Sequence, residues 1–423
     1  MKHVGIIAEY NPFHNGHAYQ LQTVKKLYPD KRILVIMSGD FVQRGEPAVF
    51  HKHLRAQCAL SCGADLIFEL PPVFATSSAE YFATASVLAL SATGIIDTLC
   101  FGAESDDISA FFQIAKILIT EPDDYQQLLK CNLKSGLSFP KARSIAVATY
   151  LQNESYEELL RQPNNILGIE YVKAILKYHL DLTPVIIKRT GNGYHDLTIT
   201  NSFPSATAIR EEMKHQAHLN QTANSFQQNP FLSELKSFMP HPAYQLLNTS
   251  KNARPLFLSD FYPYLQYALW DKKHSFHNYF EVTDEIANAL NSLIQLPSDI
   301  EKLIDRLSSK NYTNTRITRA LLNILLGNRK IDMIPSKKSN PISYLRLLGF
   351  VFDAAPLLKE MKQTCKVPII NKVADAKKIL SPEDLPLFEK DLHISELYNQ
   401  TFFNKYGVSL PSEYQQSIIP FCP

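Results

Sequence analysis

The sequence predicts an α/β protein, with a parallel sheet in its first half followed by a mostly helical second half. Three observations carry this prediction. Short apolar runs rich in Val and Ile recur through the first two hundred residues with helical segments between them, the pattern of βαβ units. Beyond residue 216 helical periodicity dominates. At 423 residues the chain is also too long for one typical core, so two or three domains are expected.

Taken in order, residues 4–9 read as a buried strand. Asn11-Pro12 is a turn signal, and from Gly16 onward His17, Ala18, Gln20, Leu21, Val24 and Leu27 follow helical spacing. Residues 32–38 form a second strand ending in the turn Ser38-Gly39-Asp40. Residues 54–63 are helical, and residues 65–70 form a third strand stopped by Pro71-Pro72. Residues 78–92 form a helix and residues 95–101 a fourth strand, ending at Gly102-Ala103-Glu104-Ser105. Residues 184–189 form a fifth strand with Lys188 and Arg189 at its end. In an open parallel sheet functional groups belong at the carboxyl ends of the strands, and His14, His17, Asp40 and Gly102 all fall there.

The stretch 4–24 organises the rest. A buried strand turns sharply, presents His14 and His17, and enters a helix whose N-terminus faces the same crevice. Free N–H groups and the helix dipole favour an anion at such a place. His14-x-x-His17 adds two donors able to follow charge as it builds on a phosphoryl group. The plainer alternative is a pair of surface or satisfied core histidines.

Composition excludes several classes. A hydrophobic content of 45% and a charged content of 20% are ordinary for a globular protein, and a net charge of +2 requires any nucleic-acid surface to be a local patch. The six cysteines lack C-x-x-C spacing, which argues for reduced thiols and against a zinc site or a disulfide framework, and Cys58-x-x-x-Cys62 reads as helix packing. No signal peptide or membrane span is readable, so a cytoplasmic protein is expected. There is no G-x-x-x-x-G-K-[ST], and Gly191-Asn192-Gly193 fits a turn better than a dinucleotide loop. His51 and His53 have no convergent cluster in the sequence, so no metal ligand is assigned.

Phe13-His14-Asn15-Gly16-His17 resembles the HxGH motif of the HIGH-type nucleotidyltransferase superfamily. The longer string from Ala8 to His17, with Ser38-Gly39-Asp40-Phe41-Val42-Gln43-Arg44-Gly45-Glu46-Pro47, is similar to the bacterial tRNA(Met) cytidine acetate ligase family. Pro163-Asn164-Asn165-Ile166-Leu167-Gly168-Ile169-Glu170-Tyr171 resembles the same family, although composition alone makes Asn164 and Asn165 helix-capping residues. Ser205-Ala206-Thr207-Ala208-Ile209-Arg210 looks like the superfamily's SSTxIR element, with Ala206 in place of its second serine. One departure is His51-Lys52-His53-Leu54, where the family pattern has a Lys-Trp-type segment.

The resemblance implies a Rossmann-like HIGH nucleotidyltransferase domain at 1–215 and a mostly helical tRNA-binding domain at 216–423. It implies an ATP site made by Ile7, Ala8, Glu9, Tyr10, Asn11, Pro12, Phe13, His14, Asn15, Gly16, His17, Ala18, Tyr19 and Gln20, with Gly102, Asn164, Asn165 and Arg189. Ser205, Thr207 and Arg210 would hold the β- and γ-phosphates. The implied reaction activates acetate as acetyl-AMP and transfers the acetyl group to N4 of the wobble cytidine of elongator tRNA(Met). His14 and His17 would stabilise phosphate charge, Asp40 would orient or deprotonate the acceptor amine, and Mg²⁺ would bridge phosphates. No protein partner is implied. The alternatives are a small-molecule adenylyltransferase of the same superfamily and an RNA-binding protein with a relict pocket.

In the second half, residues 215–230 read as an irregular connection, followed by helices at 256–270, 282–296, 300–307 and 316–326. Residues 350–352 and 367–370 suggest a small β element. Lys302, Arg306, Lys310, Arg316, Arg319, Arg329, Lys330, Lys337 and Lys338 outnumber Glu301, Asp305 and Asp332. Phosphate backbones demand such a local excess, and Tyr312 is placed to stack on a base, although the residues alone favour a solvated helix face. With the family resemblance, Lys310, Arg316 and Arg319 become the tRNA candidates.

Overall fold

The computed structural model describes residues 2–189, 205–219, 235–309, 312–333 and 341–416, with 418, 420 and 421. β1 (His3–Ala8) and β2 (Ile33–Ser38) are apolar along nearly their whole length and buried, as central strands of a parallel sheet must be. β3 (Phe41–Val42) and β4 (Glu46–Pro47) form a separate antiparallel hairpin. β5 (Leu66–Leu70), β6 (Ile96–Ala103) and β7 (Thr183–Lys188) complete the parallel part of the sheet.

The sheet has seven strands in the order β7-β6-β1-β2-β5-β8-β9. The chain runs outward from β1 through β2 to β5, then returns to lay β6 on the other side of β1. This reversal puts the topological switch point, and hence the ligand crevice, at the carboxyl ends of β1 and β6.

The last two strands lie at or near the small β element expected in the second half and join it to the first. β8 (Leu345–Phe350) pairs antiparallel with β5, and β9 (Ile369–Ile370) pairs with β8, so both extend the main sheet. The main hydrophobic core accordingly runs from Val4 to Met361 across the expected division at 215/216. A distinct helical core spans Tyr262 to Ile324, and a third packs Phe41 of the hairpin against Leu322, Leu326 and Tyr398.

Most expected elements fall within a few residues of their predicted ends, and the helix Ile300–Leu307 coincides with its predicted range. Four helices between β6 and residue 163 were not assigned from sequence: Ile108–Thr120, Asp123–Lys134, Phe139–Tyr150 and Ser155–Leu159. The helix Leu385–Tyr406 was also unassigned. The irregular connection expected from 215 begins inside the helix Ala206–Leu219, and the rest of it, at 220–230, lies outside the described residues. The turn at 191–196 and Lys310, Lys337, Lys338 and Cys422 are outside them too.

Candidate active site

β1 ends at Ala8 and the chain turns through Tyr10, in the left-handed region at φ 50°, and a cis Asn11–Pro12 peptide into the helix Asn15–Leu27. His14 is the N-cap of that helix, and its Nδ1 accepts the Gly16 N–H at 3.0 Å. His17 Nδ1 accepts the His14 N–H at 3.3 Å, so the two rings stack with centroids 3.8 Å apart. A Cβ on Gly16 would lie 2.8 Å from the His14 ring, so glycine is what allows this packing.

Because each Nδ1 accepts a backbone N–H, the neutral tautomer of each ring carries its proton on Nε2. Burial, with Arg189 and Arg210 nearby, pushes the His14 pKa down to about 3. Burial, His14 and Arg189 hold His17 well below the ordinary range. At neutral pH the pair therefore offers two uncharged N–H donors.

Both histidines line a cleft of about 370 Å³. Ile7, Ala8 and Glu9 from the end of β1 and Phe101 and Gly102 from the end of β6 line it as well, as the switch point requires. Gly102 lies inside β6 rather than just beyond it. Arg189 follows β7, its N–H bound to Ala103 O at 2.9 Å and its side chain passing Gly102. Ser205, Ala206, Thr207 and Arg210 bring the N-terminus of the helix Ala206–Leu219 to the cleft. Arg210 is fixed there by Asn11 O at 3.0 Å, Thr207 Oγ1 at 3.4 Å and Glu46 Oε2 at 3.3 Å. Phe82, Phe101, Leu167 and Tyr171 supply apolar wall. Cations, a helix N-terminus and neutral N–H donors around one cleft suit a phosphorylated ligand.

Of the residues predicted for ATP, Gln20 and Asn164 also reach the cleft. Tyr10, Asn11, Pro12, Phe13, Asn15, Gly16, Ala18 and Tyr19 do not line it but shape the loop and helix that do. Asn165 is corrected. Its Oδ1 accepts the N–H groups of Glu104 and Ser105, both at 3.0 Å, and its Nδ2 donates to Leu159 O, so it secures the loop after β6. Neither asparagine caps the helix Pro163–Lys177, whose N-cap is Gln162.

Asp40 is corrected as well. It is 1% exposed, accepts the Lys52 N–H at 2.9 Å, and lies in a buried charge cluster rather than on the cleft wall. Arg319, expected among the tRNA-binding cations, lines the cleft and pairs with Glu281 at 3.5 Å. Arg316 lies over the ring of Tyr312, whose hydroxyl already bonds Thr283 and Glu285. Tyr312 is therefore not a free stacking platform.

Sequence reasoning missed Gln43 and Arg44 on the β3–β4 hairpin and Thr315 on the helix Asn314–Leu326, all of which line the cleft. It also missed Arg55, 1% exposed, which donates to the carbonyls of Glu9, Ser38, Gly39 and Phe50. That side chain fastens the ends of β1 and β2, and with them the motif loop. The HxGH and Gly-Glu-Pro stretches were legible, but their shared anchor was not.

The sequence model of the HIGH Nucleotidyl Transferase family matches residues 1–410. The chain belongs to this family. It is 39% identical to the tRNA(Met) cytidine acetate ligase of Caldanaerobacter subterraneus subsp. tengcongensis, over 96% of each chain. It is 36% identical to the protein of that name from Acetivibrio thermocellus, over 99% of this chain and all of that one. The crystal structure of Thermotoga maritima TmcAL superposes with a TM-score of 0.86 at 30% identity, covering 95% of both chains. The form of TmcAL bound with alpha-thio ATP superposes with a TM-score of 0.84 at 31% identity.

Beside the cleft, this HIGH nucleotidyltransferase contains a buried ionic cluster that joins distant parts of the chain. Lys52 Nζ reaches Glu69 at 2.8 Å, Glu413 at 3.0 Å, Asp40 at 3.5 Å and Ser395 Oγ at 2.7 Å. Arg346 pairs with Glu69 at 3.2 Å and also with Glu413. Burial raises the carboxyl pKa of Asp40, but His51, Lys52 and the Lys52 N–H outweigh it and leave it below the ordinary value.

Convergent carboxylates do therefore face His51 and His53, contrary to the sequence expectation. Asp40, His51 and Glu413 bring one potential ligand atom each within 4.8 Å of one another. Lys52 already supplies positive charge to both carboxylates. Asp391, bonded to the Tyr344 hydroxyl, is pushed up to about 7 by burial.

Proposed function

We propose that this protein is an ATP-dependent ligase that acetylates N4 of the wobble cytidine of elongator tRNA(Met) through acetyl-AMP. The observation that carries it is the cleft at the switch point. Two neutral histidines, Arg189, Arg210 and a helix N-terminus converge where a nucleoside triphosphate is adenylylated in this family. The names of the relatives and the alpha-thio ATP complex of TmcAL support the choice of reaction and nucleotide.

The chemistry has two steps. Acetate is a poor electrophile because its carboxylate is anionic. One of its oxygens attacks the α-phosphorus of ATP, the bond to the β-phosphate breaks, and pyrophosphate leaves. The Nε2–H groups of His14 and His17 hydrogen-bond the oxygens on which charge builds, and as neutral donors they need no proton exchange with solvent. Arg210 and the helix N-terminus at Ser205–Thr207 receive the leaving pyrophosphate.

In the second step the cytidine N4 attacks the acetyl carbonyl. The mixed anhydride C–O bond breaks, AMP leaves and N4 loses a proton. Asp40, buried in the ionic cluster, positions the β2 loop here rather than taking that proton. Mg²⁺ would be carried on the phosphates. Among the described residues the one group of three convergent ligating side chains lies outside the cleft, and Mg²⁺ commonly binds through substrate phosphates and water.

In this reading residues 1–215 supply most of the nucleotide site and residues 216–423 most of the tRNA surface, and the enzyme works in the cytoplasm. No helix among the described residues is long and apolar enough to cross a membrane. The deciding experiment is transfer of labelled acetate into bulk tRNA with and without ATP. The expected result is ATP-dependent label in one tRNA species, recovered as N4-acetylcytidine. Adenylylation of a small-molecule acceptor, with no label in tRNA, would instead select the small-molecule adenylyltransferase.

A further inference from the structure

Part of the cleft wall comes from the helical half, and the adenylation chemistry leaves it without a role. Thr315 and Arg319 lie one turn apart on the helix Asn314–Leu326 and both face the cleft. Beside them stands the β3–β4 hairpin, whose Gln43 and Arg44 line the same wall. The two elements are locked together. Gly45, in the left-handed region at φ 81°, sits so close that a Cβ would lie 2.6 Å from the Arg319 backbone nitrogen. The hairpin is fixed to the motif in turn, because the Gln43 N–H donates to Glu9 Oε1 at 2.8 Å.

Arg319 is held but not saturated. Among the described residues it pairs with Glu281, at 3.5 Å and with side-chain exposures of 13% and 8%, and its Nε has no hydrogen-bond partner. Glu281 is a non-glycine residue at φ 62°, a conformation that costs free energy and persists only where its surroundings enforce it. Its other carboxylate oxygen accepts the Ser78 N–H at 2.9 Å, at the start of the helix Ala79–Ala92, which lines the cleft through Ala79 and Phe82. A carboxylate carried on this backbone thus sets the guanidinium against the cleft wall.

ATP brings one triphosphate, and Arg189, Arg210 and a helix N-terminus already match it. Arg44 and Arg319, on different elements of the same cleft, place a second pair of guanidiniums on its wall where a second anion fits. An RNA acceptor supplies one, since its target base must leave the stack and carries its backbone phosphates with it. We infer that Arg319, with Gln43 and Arg44, forms the acceptor subsite, where the guanidinium takes a phosphate of the extruded nucleotide and points its amine at the acyl adenylate. Glu281 is the positioning residue for that guanidinium. The inference rests on the ligase reading and adds the residues that admit the RNA.

The test separates the two half-reactions in the full-length enzyme. Acetate-dependent exchange of pyrophosphate into ATP, without tRNA, reads adenylation, and acetyl transfer into tRNA reads the whole reaction. For Arg319→Gln, kcat/KM for tRNA is expected to fall roughly ten- to a hundredfold, the loss of one charge-assisted hydrogen bond, while exchange falls far less. Arg44→Gln, which leaves the Glu281 pair in place, is expected to show the same split and decides the matter if the first variant does not fold. Glu281→Gln is expected to raise the KM for tRNA more than it lowers kcat.

Equal losses in exchange and transfer, or a raised KM for acetate in exchange, would move Arg319 to the adenylation site and overturn the subsite. Undiminished transfer in both arginine variants would overturn it too. Absence of acetate-dependent exchange in the unaltered enzyme is a different failure, because it removes the ligase reading before any variant is compared.

Discussion

Two pairs of histidines stand within forty residues of each other and do opposite things. His14 and His17 stack at 3.8 Å and face a cleft surrounded by arginines. His51 and His53, 5.2 Å apart, face the buried carboxylates of Asp40 and Glu413. Burial keeps His51 neutral, at about 4, as it does His14. His14 and His51 therefore share a charge state, and what differs is the occupant each pair is built to meet. In the cleft Arg210 and Arg319 each hold a single carboxylate, Glu46 and Glu281, and still face the space that an anionic ligand would fill. In the cluster Lys52 and Arg346 have already met their anions inside the protein. One region is unsaturated and reactive, while the other is saturated and structural.

Removing the central cation should break the saturated region. Lys52→Ala would leave Asp40, Glu69 and Glu413 buried, with the Arg346 guanidinium still paired to Glu69 and Glu413. An uncompensated buried charge of this kind costs about 3–5 kcal/mol. Thermal and urea unfolding should both show the loss, with weakened nucleotide binding as a secondary effect because Asp40 steers the β2 loop. A variant as stable as the parent would mean that the cluster carries no net stabilisation.

The same operation in the unsaturated region should spare the fold and remove the chemistry. His14→Ala deletes a donor aimed at developing phosphate charge, an effect of about 10²–10³ in rate. It also deletes an N-cap, worth roughly 1 kcal/mol of stability. Acetate-dependent pyrophosphate exchange measures the first and a melting curve the second. Normal exchange in this variant would sink the role given to the histidine pair.

The two regions also differ in how much of them the sequence revealed, for a physical reason. The cleft motif is local, with strand, turn, histidines and helix lying within 21 consecutive positions, and the backbone bonds that set both rings span two and three residues. The cluster joins Lys52 to Glu413 and Ser395, and no pattern near Lys52 announces partners more than 300 positions away. Arg55 was hidden differently, because its partners are carbonyls that every residue carries.

The unassigned helices divide the same way. Residues 108–120 carry a readable signal, with Asp107 as N-cap and Phe111, Ile114, Ala115 and Ile117 buried at helical spacing. The helix Leu385–Tyr406 buries Asp391, Ser395 and Asn399 among its apolar residues, so the stripe that betrays a surface helix is broken. Arg319 was recognised as a tRNA candidate but not as a wall of the nucleotide cleft, since periodicity gives a helix's buried side without saying what packs there.

Lowering the pH should sharpen the contrast by acting on both regions through one mechanism. His14, His17 and His51 are neutral in the fold, with pKa values below the ordinary 6.5. The unfolded chain takes up these protons as pH falls through 6.5, and the folded chain does not, so stability must decrease over that interval. The decline continues until the folded values are reached, at about 4 for His51 and about 3 for His14. At pH 5.5 the cost is roughly 1 kcal/mol per histidine relative to neutral pH. Urea unfolding at pH 7.5 and 5.5 reads it, and a flat profile would mean that these rings titrate freely in the fold.

The smallest effect belongs to Arg316, one turn from the subsite and outside the cleft lining. Its guanidinium lies 5.3 Å from the centre of the Tyr312 ring, and the ring is held by bonds from its hydroxyl to Thr283 and Glu285. An arginine stacked on a fixed ring is pre-organised for a backbone phosphate without being required by the chemistry. Arg316→Gln should therefore weaken tRNA binding by only a few-fold and lower the slope of log affinity against log salt by roughly 0.7–0.9, the share of one phosphate contact. Pyrophosphate exchange should stay at the parent level, and the transfer kcat at saturating tRNA should stay with it. An unchanged salt slope would leave Arg316 as packing for Tyr312, and tRNA would then meet this wall through Arg319 and Arg44 alone.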